Sequence, residues 1–450
     1  MKINIRQRIF DRFLSRFKNN RSFRNIIYNG SGFVVSTLLT LLATPVLVQQ
    51  LGTEEYGLWR IALSITGIMG VLESGLVTLI AKYVAEYVSQ DDNVKLSGII
   101  NLGLIISVII GVIVTLIIYI LSSKITPLFS GNEISNNQIQ SVIKVAAFGF
   151  LPLLLRSNGL AIQQGLRNFG IWNIFNILQR LTIISTALIT SKSSDSIQLV
   201  VKNSVLMMWI LGLISLLLAF WMIRNRYIKF SIHSLDIISI FSYLSFASIT
   251  SFGKKVFGTV DRLIVGAVLG LAGVTYYSVI SGVAAQFYGF SASLTRALMP
   301  ATSSFNAKGD TAKIRRYFKF STLFLLFINI IMGVGLILLS KVFLRIWMGE
   351  EFSELVLPAF RILIGVYSIK SIAIPAIKII NGLGMPWVNT LSSLSIGFLT
   401  ILLIYGLGKS YGLVGTAWAH IVSLIDIIII VFVASRLKLS AANNKNSSLV

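Results

Sequence analysis

No cysteine occurs anywhere in the 450 residues. Disulfides, thiolate metal sites and a cysteine nucleophile are therefore excluded. Histidine is almost as scarce. His233 and His420 stand far apart, so no histidine metal centre and no cofactor are expected. Charge is sparse too: 12% of residues are charged against 55% hydrophobic, with a mean hydropathy of +0.82. A soluble domain of this size needs far more charge to cover its surface, so the solvent for most of the chain is lipid. Acidic residues are the scarcest, 16 against 39 basic ones, leaving a net charge of +23. That balance suits a nucleic-acid binder, but the basic residues are scattered between apolar blocks with no recognition module or basic-aromatic groove, so no nucleic acid is expected as a partner. There is no G-x-x-x-x-G-K-[ST], H-E-x-x-H or G-x-S-x-G motif, which removes direct ATP drive and two families of hydrolytic site. The connections between apolar blocks are too short to hold a soluble domain, which argues against a membrane glycosyltransferase or polysaccharide polymerase.

What is present is a succession of apolar stretches of spanning length, about a dozen in all. Residues 1–24 come first and are strongly basic, with Ile9, Phe10, Phe13, Leu14 and Phe17 at helical spacing and Arg8, Arg12 and Arg16 on another face. They read as an amphipathic helix on an anionic membrane surface. Residues 25–223 then form one set of six spans, 224–237 a linker and 238–435 a second set of six, and 436–450 a tail. Even-numbered connections carry Arg224, Arg226 and Lys229, and later Lys308, Lys313, Arg315, Arg316 and Lys319; odd-numbered ones carry Glu54 and Glu55, or Glu350, Glu351 and Glu354. The positive-inside bias puts both termini in the cytoplasm, in a multi-pass inner-membrane protein.

The chain also resembles itself at an offset of 218 residues. Leu51-Gly52 maps onto Leu269-Gly270, Trp59 onto Tyr277, Asp92 onto Asp310 and Lys95 onto Lys313. Six spans per half is an even number, so the halves enter the membrane in the same sense, as parallel repeats about an axis along the membrane normal.

A charge near the middle of a span costs roughly 2.5–3.5 kcal/mol on insertion scales, so each one needs a reason. The cations are Arg156, Arg180, Lys254, Lys255, Arg296 and Lys370; the anions are Glu73, Asp261 and Asp426. The imbalance points to an anionic ligand that supplies the missing counter-charge, with the three carboxylates balancing cations or carrying a coupling ion. Lys254 and Asp261 share a helix face, so pairing with each other alone is open to them. Lys82, Lys378 and Arg60 lie near span ends, where snorkelling to headgroups is the simpler account. His420 reads as a packed or hydrogen-bonded helix residue. Asn29 and Ser36 in the first span and Ser281 in the eighth belong to small polar faces that either line a pathway or pack helices together.

Several segments carry a resemblance: Leu51-Gly52-Thr53-Glu54-Glu55-Tyr56-Gly57-Leu58-Trp59, Asp261-Arg262-Leu263-Ile264-Val265-Gly266, Val274-Thr275-Tyr276-Tyr277-Ser278 and Leu298-Met299-Pro300-Ala301. Together they resemble the Wzx-type O-antigen and polysaccharide flippases of the multidrug/oligosaccharidyl-lipid/polysaccharide exporter superfamily. The resemblance implies an all-α membrane protein of about 12 spans, a V-shaped two-lobed bundle like that of MATE transporters and lipid II flippases. It also implies a non-enzymatic role: moving an undecaprenyl-pyrophosphate-linked oligosaccharide between leaflets through a cationic cavity. Membrane lipids, a polysaccharide polymerase and a chain-length regulator are the partners it brings with it. A cation-coupled multidrug exporter of the same superfamily is the competing reading.

Overall fold

The computed structural model describes residues 37–68, 70–129, 134–166, 168–193, 196–224, 237–296 and 298–446. Side chains at 245–257 and 435–446 fall outside that description. So do the basic segment 1–24 and most of the linker 224–237.

Every regular element among the described residues is helical, because in lipid a backbone must satisfy its own hydrogen bonds. The first half holds α1 (Thr37–Leu51), α2 (Thr53–Ile68), α3 (Gly70–Ser89), α4 (Asn93–Ile125), α5 (Asn136–Ala147), α6 (Phe150–Gly165), α7 (Phe169–Ser193) and α8 (Ile197–Met222). The second holds α9 (Ile237–Leu294), α10 (Leu298–Ala307), α11 (Thr311–Leu338), α12 (Ser340–Met348), α13 (Glu350–Ser371), α14 (Ile374–Gly382), α15 (Pro386–Ala419) and α16 (Ser423–Asn446). Among the described residues, eight helices are long and apolar enough to cross a membrane, or nine with α2 and α3 taken as one span bent by 41°. Two of them, Gly258–Ala307 and Pro386–Ala434, run 50 and 49 residues, about twice what a bilayer takes. Each is broken by a left-handed glycine, Gly270 at φ 71° and Gly412 at φ 60°. Dividing both there, and counting α1, gives the twelve crossings expected from the sequence.

The repeat is visible in local geometry. Gly52 and Gly270, 218 residues apart, both take positive φ, as do Asp91 and Gly309. Asp92 caps α4 by accepting from the Lys95 amide at 3.0 Å, and Asp310 caps α11 by accepting from the Lys313 amide at 3.1 Å. Each aspartate also pairs with the ammonium of the same lysine, at 3.2 and 2.7 Å. The offset thus records a repeated cap that satisfies the same orphan amides in both halves.

Packing at the two ends of the bundle differs. At the end carrying Gly52, Phe129, Gly270 and α12, one apolar core joins both halves, from Leu47, Tyr56 and Leu58 to Val274, Leu344 and Phe360. At the opposite end the cores are separate: one around Leu79, Ile99 and Leu154, the other around Ala376, Ile380 and Ile430. Ile240 and Leu244, at the start of α9, pack into the first of these. The first turns of α9 thus contact the core of the first lobe. The lobes are sealed at one end, called here the seam, and cored separately at the other.

The seam depends on close backbone approach. Gly57 in α2 lies so near α9 that a Cβ there would sit 2.0 Å from the Leu271 carbonyl oxygen. Beside it, the Thr275 hydroxyl donates to the Thr53 carbonyl at 2.5 Å.

Candidate functional site

Two polar centres occupy the lobes. In the first, Arg156 on α6 is 5% exposed. Its Nη2 reaches Glu73 Oε1 on α3 at 3.2 Å, and its Nη1 donates to Asn176 Oδ1 on α7 at 3.4 Å. The Ser157 hydroxyl donates to the same Glu73 oxygen at 2.7 Å. A guanidinium this buried is stable only with a counter-charge, and Glu73 provides it. Arg156 is therefore not the unpaired cation the sequence suggested, and Glu73 is tied to it. Arg180, one turn beyond Asn176 on the same face of α7, is exposed.

In the second lobe, Asp261 is 6% exposed. The Tyr277 hydroxyl donates to its Oδ2 at 2.8 Å, and His420 Nε2 lies 2.7 Å from the same phenolic oxygen. With the hydroxyl proton committed to the carboxylate, the imidazole must donate, which places a proton on Nε2. His420 also lies against the Tyr367 ring, 5.9 Å between centroids, and the Lys370 ammonium lies over the same ring, 5.7 Å from its centre. Lys370 is within electrostatic reach of both Asp426 and Asp261, while Ser392 donates to Asp426. Of the central cations, Arg156 thus has a carboxylate partner at ion-pair distance, while Asp426 and Asp261 act on Lys370 electrostatically.

Arg296 is exposed and lies near Lys378 in the electrostatic sense. The side chains of Lys254 and Lys255 lie outside the described residues, as do Asn29 and Ser36. Ser281 is 4% exposed, and its hydroxyl finds no partner.

Between the lobes lies a third group that sequence reasoning passed over. Arg60, placed at the membrane border on sequence grounds, is only partly exposed and faces Asp261 and Arg262 of the other lobe. Arg60 follows Gly52 by eight residues and Arg262 precedes Gly270 by eight, which puts both about 12 Å below the seam turns. The Nε atoms of Arg60 and Arg262, the Trp59 indole N–H and the Ser278 and Ser281 hydroxyls are buried without a hydrogen-bond partner. Unpartnered guanidinium donors on Arg60 and Arg262, both grouped with Asp261, favour an acceptor there. The signal available in sequence was the adjacency of Asp261 and Arg262 and the repeat that sets Trp59-Arg60 opposite Tyr277-Ser278.

Twelve crossings in two like-oriented halves, sealed at one end and meeting around a polar centre, define a two-lobed membrane transporter fold. Solved structures share it. An inward-facing multidrug-resistance MATE transporter of the MOP superfamily matches with a TM-score of 0.77 at 14% identity, over 93% of this chain and 99% of that one. The lipid II flippase MurJ in an inward closed conformation matches at 0.75 and 15%, over 93% and 90%. In sequence, a Shigella flexneri protein named "Putative O-antigen transporter" is 23% identical over 403 residues, covering 88% of this chain and 93% of its own. A family model described as "Polysaccharide biosynthesis protein" matches residues 22–306, more than half of the chain. The chain belongs to that family.

Proposed function

We propose that this protein is a flippase. It carries an undecaprenyl-diphosphate-linked oligosaccharide from the cytoplasmic to the periplasmic leaflet, for O-antigen or a related surface polysaccharide, with both termini in the cytoplasm. The observation that carries the reading is the inter-lobe group of Arg60, Asp261 and Arg262, in which the Nε atoms of both arginines are buried without a hydrogen-bond partner. The family and the O-antigen relative support the substrate class.

The physical task is clear. A polyprenyl tail stays in lipid, but a charged diphosphate and its sugars cannot cross hydrocarbon unassisted. A polar centre between two lobes receives the headgroup from the unsealed side while the tail remains outside. Guanidinium groups suit phosphate oxygens because their planar fork bonds two at once. Rocking of the lobes then opens the seam and closes the other end. About two negative charges leaving a negative cytoplasm gain roughly 2.3 kcal/mol each per 100 mV when they cross the whole potential, so export is downhill without a coupled ion.

Glu73, Asp261 and Asp426 are each engaged by protein groups, which leaves little free carboxylate for cationic drugs. A deletion strain tests this directly. It should lose surface polysaccharide, accumulate the lipid-linked unit on the cytoplasmic side and keep its normal drug tolerance. Drug hypersensitivity with intact polysaccharide would instead make the protein a multidrug exporter.

A further inference from the structure

Pro45 lies inside α1 and has no backbone N–H, so the carbonyl four residues earlier, that of Leu41, loses its regular helical donor. In this structure the other lobe supplies one: the Trp347 indole Nε1–H donates to the Leu41 oxygen at 2.7 Å. Trp347 belongs to α12, which packs into the core shared by the lobes and is tied to the second lobe by two further contacts. Leu344 is fully buried in the shared core. Arg361 Nε donates to the Ser340 hydroxyl at 2.9 Å. The Trp347 ring stacks on Phe343, 5.3 Å between centroids, and Phe343 stacks on Phe360 at 6.1 Å. The ring therefore moves with the second lobe, and its N–H reaches across to the first.

We propose that Pro45 and Trp347 form a latch on the seam, in which the carbonyl left open by the proline in one lobe is capped only while the two lobes are closed against each other at that end. The inference rests on the two-lobe transport reading above. When the seam parts, Trp347 withdraws and α1 has no amide at position 45 to replace it. An uncapped carbonyl at membrane depth is costly, whereas an ordinary helix would lose nothing on opening. The proline therefore turns a routine contact into a bias toward the seam-closed state.

The chain's lack of cysteine makes the test direct. Leu271→Cys, at a seam position 1% exposed, serves as reporter in vesicles of known orientation, and a membrane-impermeant maleimide is applied to the seam face. Labelling speed then follows the open population even where that population is small. Trp347→Phe keeps an aromatic ring and removes the donor; it should speed labelling about five- to a hundredfold, the range expected for one lost bond and an orphaned acceptor. Trp347→Met is the second variant should phenylalanine disturb insertion. Pro45→Ala restores an amide to α1, so adding Trp347→Phe in that background should change labelling less than about twofold. Equal acceleration with and without the Pro45→Ala change would mean that Trp347 acts by packing alone, and no acceleration with Pro45 in place would mean that the bond does not hold the seam; either overturns the latch. Normal latch behaviour in a protein that moves no lipid-linked sugar would count against the functional reading only.

Discussion

Replacing Gly57 with alanine should force the seam open. The added Cβ would lie 2.0 Å from the Leu271 carbonyl oxygen, 2.8 Å from its carbon and 3.0 Å from the Thr275 hydroxyl. The first two atoms are backbone, so no rotamer change relieves the contact, and α2 and α9 must separate by about 1 Å to reach the closest spacing that Cβ atoms tolerate. Overpacking of this kind costs about 1–3 kcal/mol. The strain falls on the seam-closed arrangement and vanishes once the lobes part there. At 1.4 kcal/mol per tenfold, the closed-to-open ratio should drop by about fivefold to somewhat over a hundredfold. Spin labels on Asn137→Cys and Glu354→Cys, exposed sites in opposite lobes near that end, read the change as a new long-distance population in nanodiscs. Thr275→Val, which removes only the hydroxyl bond to Thr53, should shift the distribution the same way but less. An unchanged distance distribution in a well-folded Gly57→Ala protein would refute the claim that backbone contact at Gly57 seals this end.

Further expectations concern the polar centres. Glu73→Gln leaves the Arg156 charge buried without its partner and should cost about 3–5 kcal/mol of stability, while the double change Glu73→Gln with Arg156→Met should recover part of the loss; thermal melts in detergent compare the four proteins. Arg60→Gln and Arg262→Gln should each slow leaflet exchange at least tenfold with normal expression and insertion, whereas Lys82→Gln, exposed on α3, should leave it unchanged. The Lys95 amide, with the Lys95 ammonium, holds the Asp92 carboxyl below its ordinary range. The stabilisation this brings is present above the ordinary carboxylate pKa and is lost as pH falls through the lowered one. Melting-temperature differences between wild type and Asp92→Asn should therefore shrink on acidification below about pH 4; a difference independent of pH there would contradict the cap.

The fold was legible because its signals are local and periodic. Apolar runs of spanning length mark crossings, and the 218-residue offset carries Gly52 onto Gly270 and Asp92 onto Asp310, positions whose turn and cap geometry the structure repeats. The polar centres were legible only as an inventory. Glu73 and Arg156 are 83 residues apart, and nothing along the chain says that α3 and α6 bring them together, so the inventory could not say which cation each carboxylate meets. Arg60 was misjudged for a related reason: distance from a span end gives depth but not which face looks toward the other lobe. Trp347 and Leu41 stand 306 residues apart, and nothing along the chain brings that donor to that acceptor.

Leaflet exchange in reconstituted liposomes tests the central claim most directly. A defined undecaprenyl-diphosphate oligosaccharide, enzymatically labelled from one face, should cross in vesicles containing the protein far faster than in protein-free ones. It should cross faster still with a potential that drives the anionic headgroup toward the seam side, and the Arg60→Gln with Arg262→Gln protein should abolish the gain. Crossing no faster than in protein-free vesicles, or at an undiminished rate in the double variant, would contradict a diphosphate carrier built on this inter-lobe centre.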